Sequence, residues 1–316
     1  MSKAPEYELK LTPSGAPRFI FDVSPHWEQW ILVTSDVHFD SQHCDRDALF
    51  NVLNQAVERD ALWLDLGDWF DLMQGKSDKR RELDGLRPEY LYPSEENKRM
   101  GLWQRIVSDA EEKLKPYANR LIFAGLGNHE TSCLRWSDIN LTQELSGIAK
   151  RAGSTQCHLG SYTGYAHFSV RLRTKNEKKP GSSLTLWLTH GTGGNSPVTM
   201  GTIQSSRRMS YAPDARLYIS GHIHQELMVT RTAIRSRPPV YTEKIEERHD
   251  ITIPGFKQEF PLSGSPRHGW AIEKGFPPTP TGGLWIRLFL GNSADKGVRK
   301  RFKKELSYEV SWAKPL

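Results

Sequence analysis

Residues 31–38 read ILVTSDVH, an apolar, β-branched run followed by Asp36 and His38. Such a run is the pattern of a short buried strand, and the polar pair falls where that strand ends. The arrangement recurs four times. Residues 61–71, ALWLDLGDWFD, end in Gly67, Asp68 and Asp71. Residues 120–130, RLIFAGLGNHE, pass a Gly125-Leu126 step to Gly127, Asn128, His129 and Glu130. Residues 184–191, LTLWLTHG, end in His190 and Gly191, and residues 215–224, ARLYISGHIH, end in Gly221, His222 and His224. In open α/β sheets, ligands bind beyond the carboxyl ends of the strands, where loops converge polar groups. Imidazole and carboxylate together suit zinc, iron, manganese and related divalent metals.

Helical patterns separate the early strands. Residues 45–59 put Leu49, Val52, Leu53 and Ala56 on one face. Residues 94–115 read as one helix, with Ser94 as N-cap and Pro116 as stop. Residues 138–151 read as another. Beyond these the chain is richer in strands, at 162–173, 184–189, 215–220 and 227–234. Residues 284–290 (LWIRLFL) read as a strand returning to the main sheets. The fold class is therefore mixed α/β. A boundary near residue 230 is expected between a core, 1–230, and a C-terminal extension, 231–316. The core carries a charged, loop-like insertion at about 73–93. The extension is partly loop-like, with PPV, PLSGSP and FPPTPTGG, and packs back on the core.

Composition narrows the class. The chain has 316 residues, 37% hydrophobic and 25% charged, enough for one large domain or two modest ones. No apolar run approaches the roughly 18 residues of a membrane span, and the first residues lack the features of a secretory signal. A cytoplasmic protein without membrane association is expected. Cys44, Cys133 and Cys157 show no CxxC spacing, which argues against a disulfide framework or structural zinc. The net charge of +6 permits a polyanionic partner without demanding one. Basic clusters at 171–179 (RLRTKNEKK) and 299–304 (RKRFKK) read first as a solvated strand end and tail. No G-x-S-x-G nucleophile motif is present.

Taken in order, the five motifs resemble those of the calcineurin-like metallophosphoesterase family, over residues 31–224. That resemblance implies a four-layer α/β sandwich of two mixed β-sheets flanked by helices, here with a C-terminal extension. It also implies a hydrolase with two divalent metal ions and a metal-activated water, needing no covalent intermediate. Asp36, His38 and His224 would hold one metal, and Asn128, His190 and His222 the other, with Asp68 between them. His129 would face the substrate, stabilising the transition state or protonating the leaving oxygen. Asp71 would stand behind the ligands. Manganese is the working metal, with iron, zinc, nickel or magnesium as alternatives.

Substrate choice lies in loops rather than in the ligand set. A nuclease acting on DNA or RNA, similar to the family's repair nucleases, is the first expectation. A phosphatase or phosphodiesterase on a nucleotide or other small phosphoester is the second. The GDWFD stretch resembles bacterial UDP-diacylglucosamine pyrophosphohydrolases, but the charged insertion does not read as a cap for acyl chains. An inactive scaffold of the same fold is a further alternative, against which the complete ligand set argues. Arg207, Arg208 and Trp69 are candidates for substrate contact. The stretch GWAIEKGFPPTPTGGLWIRLF resembles phage and bacterial phosphoesterases, and a flap over the site or a homo-oligomer contact are its two expected roles.

Overall fold

The computed structural model describes residues 3–73, 78–79, 81, 83–154, 156–173, 178–194, 196, 198–199, 201–237, 242–260, 270–292 and 304–316. In chain order the elements are β1 (Glu8–Leu11), β2 (Pro17–Val23), β3 (Glu28–Thr34), α1 (Arg46–Glu58), β4 (Leu62–Asp65), α2 (Pro88–Leu91), α3 (Leu102–Leu114) and β5 (Leu121–Ala124). Then come α4 (Asn128–Ser137), α5 (Leu141–Arg151), β6 (His158–Leu159), β7 (Thr163–Arg173), β8 (Lys178–Thr189), α6 (Thr202–Tyr211) and β9 (Leu217–Ser220). The last are β10 (Leu227–Arg237), β11 (Thr242–Thr252), α7 (Trp270–Glu273), β12 (Gly283–Asn292) and β13 (Lys304–Ala313).

Alternation along each strand builds the layers, because successive side chains point to opposite faces. In β3, Ile31 and Val33 join the core between the sheets, while Leu32 faces the helices. In β4, Leu62 and Leu64 point inward and Trp63 outward. A seven-stranded sheet runs β1-β2-β7-β8-β9-β11-β10, and a six-stranded sheet runs β13-β12-β3-β4-β5-β6. Residues of α1, α3 and α5 cover the outer face of the six-stranded sheet. Met209 of α6 packs with Tyr218 on the outer face of the other. The result is a four-layer mixed α/β sandwich, as the motifs imply.

Strand direction positions the site. β3, β4 and β5 are parallel, with Thr34 opposite Asp65 and Asp65 opposite Ala124, so three motif loops leave one edge at one level. β8 and β9 are parallel too, with Thr189 opposite Ser220. Stacking the two sheets brings both sets of loops together.

Residue 230 lies within β10, and strands beyond it enter both sheets. β11 sits between β9 and β10, and β12 between β3 and β13. Leu284, Ile286 and Leu288 of β12 are fully buried in the inter-sheet core. Two helices differ from expectation. Residues 94–115 are interrupted: a 3-10 turn spans Glu95–Asn97, and α3 begins after Gly101, whose N–H donates to Gln104 Oε1 at 3.1 Å. The Ser94 side chain makes no cap bond. Residues 138–151 are the second of a pair, because α4 already begins at Asn128. Asp138, in the left-handed region, ends α4, and the Asn140 side chain caps α5 by accepting from Gln143 N at 3.0 Å. No described helix is long and apolar enough to cross a membrane. Residues 174–177 and 299–303 of the basic clusters lie outside the described residues.

Candidate metal centre

Asp36, His38, Asp68, His222 and His224 all have φ between 51° and 73°, and they are five of the seven positive-φ non-glycine residues among those described. This conformation is costly for a residue with a Cβ and persists only where its surroundings over-determine it. Here the loops brace one another. Asp36 N donates to Gly67 O and His38 N to Asp68 O, each at 3.0 Å, and Gly221 N donates to His190 O at 2.9 Å. The buried Glu130 carboxylate accepts from Asp68 N at 2.8 Å and Gly127 N at 2.9 Å, tying the second motif to the third. Gly127 is required by packing, since a Cβ there would overlap the Asp68 carboxylate.

Asp36, His38 and His224 form one group whose ligand atoms lie within 4.8 Å of one another, and Asp68, His190 and His222 form a second. Asp68 also groups with His38 and His129, so its carboxylate reaches both sides. His224 Nε2 is 3.3 Å from Asp36 Oδ1, and His190 Nε2 is 3.1 Å from Asp68 Oδ2. Asn128, at the start of α4, points Oδ1 to within 3.2 Å of His190 Nε2. The backbone sets part of this geometry: His222 N donates to Asp36 Oδ2 at 2.7 Å and His129 N to Asp68 Oδ1 at 2.9 Å.

The electrostatics are those of a cation site. Burial would raise the Asp36 and Asp68 carboxyls, but the neighbouring imidazoles, His224 and His190 for Asp36 and chiefly His190 for Asp68, hold both below the usual carboxylate range. Burial would lower His190, yet Asp68 and Asp36 raise it to about 10. Burial depresses His38 to about 4, keeping it a neutral donor. The buried Asp36 Oδ1 and His38 Nε2 have no hydrogen-bond partner. Orphaned atoms of this kind among converging oxygen and nitrogen donors fit a divalent ion in the first group, and the second group offers the same donor types.

Asp71 stands behind this cluster. Its Oδ1 lies 2.7 Å from His38 Nδ1 and 3.5 Å from His129 Nδ1, and its backbone oxygen is 2.7 Å from His129 Nδ1. A donor at Nδ1 leaves Nε2 of that ring directed into the site. His129 Nε2 lies 3.8 Å from Asp68 Oδ2.

A cleft of about 690 Å³ opens over the cluster. Met73, Lys79, Arg81 and Gly85 line it, as do Lys257, Glu259, Phe260, Phe276, Pro277 and Thr279. Lys257 was not foreseen. It follows β11 in sequence, but Phe256 N donates to Asp36 O at 3.0 Å, which docks this segment on the first motif and sets Lys257 Nζ 3.1 Å from Asp71 Oδ1. No local motif marks such a contact.

Two substrate-contact candidates are corrected. Trp69 is buried in the core behind the motif, 5.2 Å from the Trp63 ring and stacked on Phe39 at 6.0 Å. Arg208 is buried, with its guanidinium bonded to Asp250 at 2.5 and 3.0 Å. Helical periodicity turns Arg208 inward and leaves Arg207 exposed, and neither lines the cleft.

A four-layer α/β sandwich whose strand-end loops converge histidines and carboxylates on one cleft defines a metal-dependent hydrolase. The calcineurin-like phosphoesterase family matches residues 30–226, and the chain belongs to that family. No curated relative matches it. Among solved structures, it is similar to a conserved uncharacterized protein from Streptococcus pneumoniae, a predicted phosphoesterase, at 11% identity over 89% of each chain with a TM-score of 0.27. It is also similar to GAP50, the anchor in the inner membrane complex of Plasmodium, at 12% identity over 89% of each chain with a TM-score of 0.37.

Proposed function

We propose that this protein is a binuclear metal-dependent phosphodiesterase acting on nucleic acid. The observation that carries the reading is the pair of donor groups joined by Asp68. Asp36, His38 and His224 would hold one ion and Asn128, His190 and His222 the other, with Asp68 shared and manganese as the working metal. Ions held this way supply a water of lowered pKa and a positive clamp on the phosphate. The chain's own residues do the rest. Asp71 orients His38 and His129, and the His129 ring, on the cleft and outside both ligand sets, is placed to stabilise charge on phosphoryl oxygens or to protonate the leaving oxygen. Exposed Lys79 and Arg81 on the cleft wall, with a net charge of +6, favour a polyanionic substrate. A second reading, a small phosphoester such as a nucleotide, is favoured by the cleft volume of about 690 Å³, the size of a small-ligand site.

The test is incubation of the metal-stripped, Mn²⁺-reconstituted protein with end-labelled single- and double-stranded DNA, beside an Asp68→Asn control. Cleavage by the wild type alone supports the nuclease. Intact DNA with hydrolysis of free nucleotides moves the assignment to the second reading.

A further inference from the structure

We infer that the cleft wall formed by residues 257–260 and 276–279 is a subsite for a planar aromatic ring, a nucleobase attached through its sugar to the scissile phosphate. The inference rests on the phosphodiesterase reading and deepens it. This wall follows residue 226, where the family match ends, so it belongs to the part of the chain that the shared catalytic motifs do not specify.

The wall is built onto the core. Phe256 is fully buried, Gln258 N donates to His43 O at 2.8 Å, and Gly282 N donates to Gly255 O at 3.1 Å. The Gln258 side-chain amide crosses to Thr279 O at 3.1 Å and also reaches the Thr281 hydroxyl. Gln258 thereby joins the two strips of chain that bear Phe260 and Phe276, and both rings line the cleft with Pro277. Lys257 is paired with Asp71 at 3.1 Å and with Glu259 at 3.3 Å. Beyond that ion cluster the wall offers aromatic and apolar surface, and Lys79 and Arg81 line the same cleft.

A phosphate over the metal cluster, with cations and two phenyl rings lining the same cleft, matches the chemistry of an unstacked nucleotide. Aromatic side chains bind bases through their π-faces with little regard to sequence. A base inside a duplex reaches such a pocket only after it is flipped out. Phe260 and Phe276 are half-buried, which limits the side-chain freedom that stacking would remove.

The experiment compares single-stranded oligodeoxynucleotides that carry either a normal nucleotide or an abasic tetrahydrofuran residue at the cleaved position. The enzymes are wild type, Phe260→Ala, Phe276→Ala and Phe260→Trp, all loaded with manganese. On the normal strand, each alanine variant should raise KM roughly 5- to 140-fold, the equivalent of ~1–3 kcal/mol of base stacking, with little change in kcat. Phe260→Trp should restore it. On the abasic strand, wild type and variants should be equal. A loss of the same size on both strands, or no loss on either, overturns the subsite. Bis(p-nitrophenyl) phosphate separates the two levels. Its hydrolysis with all oligonucleotides left intact overturns the subsite and leaves the phosphodiesterase standing, whereas failure on every substrate overturns both.

Discussion

Lys257 Nζ lies 3.1 Å from Oδ1 of Asp71, the same oxygen that approaches His38 Nδ1 to 2.7 Å. A residue from beyond the family's motifs thus sets the charge on the carboxylate that orients a ligand candidate. Burial would raise Asp71, but Lys257 and His38 hold it well below the usual carboxylate range. Asp71→Asn should weaken binding of the metal at Asp36, His38 and His224 by roughly 10- to 100-fold, the usual effect of removing a partner behind a metal-bound histidine. Lys257→Met should act in the same direction and less strongly. Calorimetric metal titration checks both, and an unchanged affinity in Asp71→Asn removes its orienting role.

His129 and Asp68 should separate cleanly. Asp68→Asn should leave fewer than two metals per chain, because its carboxylate reaches both donor groups. His129→Ala should retain two metals and lower kcat by roughly 100- to 10,000-fold. Elemental analysis beside kinetics decides the matter. An equal fall in metal content in the two variants would contradict the role given to His129.

The metal-free protein should show a specific pH dependence. His190 is raised from 6.5 to about 10, so its charged form is favoured by folding. Its contribution is complete below about 6.5 and is lost as the pH rises through about 10. Urea midpoints of the chelated protein should fall across that window, and His190→Gln should flatten the slope. Metal loading requires a neutral imidazole, so it should release a proton from His190 at pH 7–9, measurable by calorimetry in two buffers of different ionisation enthalpy. A midpoint independent of pH across the window would refute this electrostatic account.

Arg208 and Arg207 should behave as a structural and a surface residue. Arg208→Ala leaves Asp250 buried and unpaired, which should cost about 3–5 kcal/mol in denaturant unfolding. Arg207→Ala should stay within about 0.5 kcal/mol. A rise in KM with unchanged stability in Arg208→Ala would return that residue to the substrate.

Much of the core was legible because it is written in short-range pattern. Strands β3, β4, β5, β8 and β9 announce themselves as apolar runs closed by Asp, Asn, Gly or His. α1 shows its buried face through the spacing of Leu49, Val52, Leu53 and Ala56. The break at Gly101 was hidden inside a helical pattern that continues on either side. The start of α4 was hidden because Asn128 and His129 read first as chemistry and only then as a helix N-terminus.

By itself the sequence determined the mixed α/β class and the five strand-end motifs, since strand alternation and loop position are local properties of the chain. Tertiary structure alone decided the rest. It paired Arg208 with Asp250 and set Trp69 in the core against Trp63. It placed β12 between β3 and β13, and it brought Lys257 to Asp71 across 186 residues of chain. Contacts of that kind depend on which surfaces the packed sheets present to one another, and no short stretch of residues encodes them.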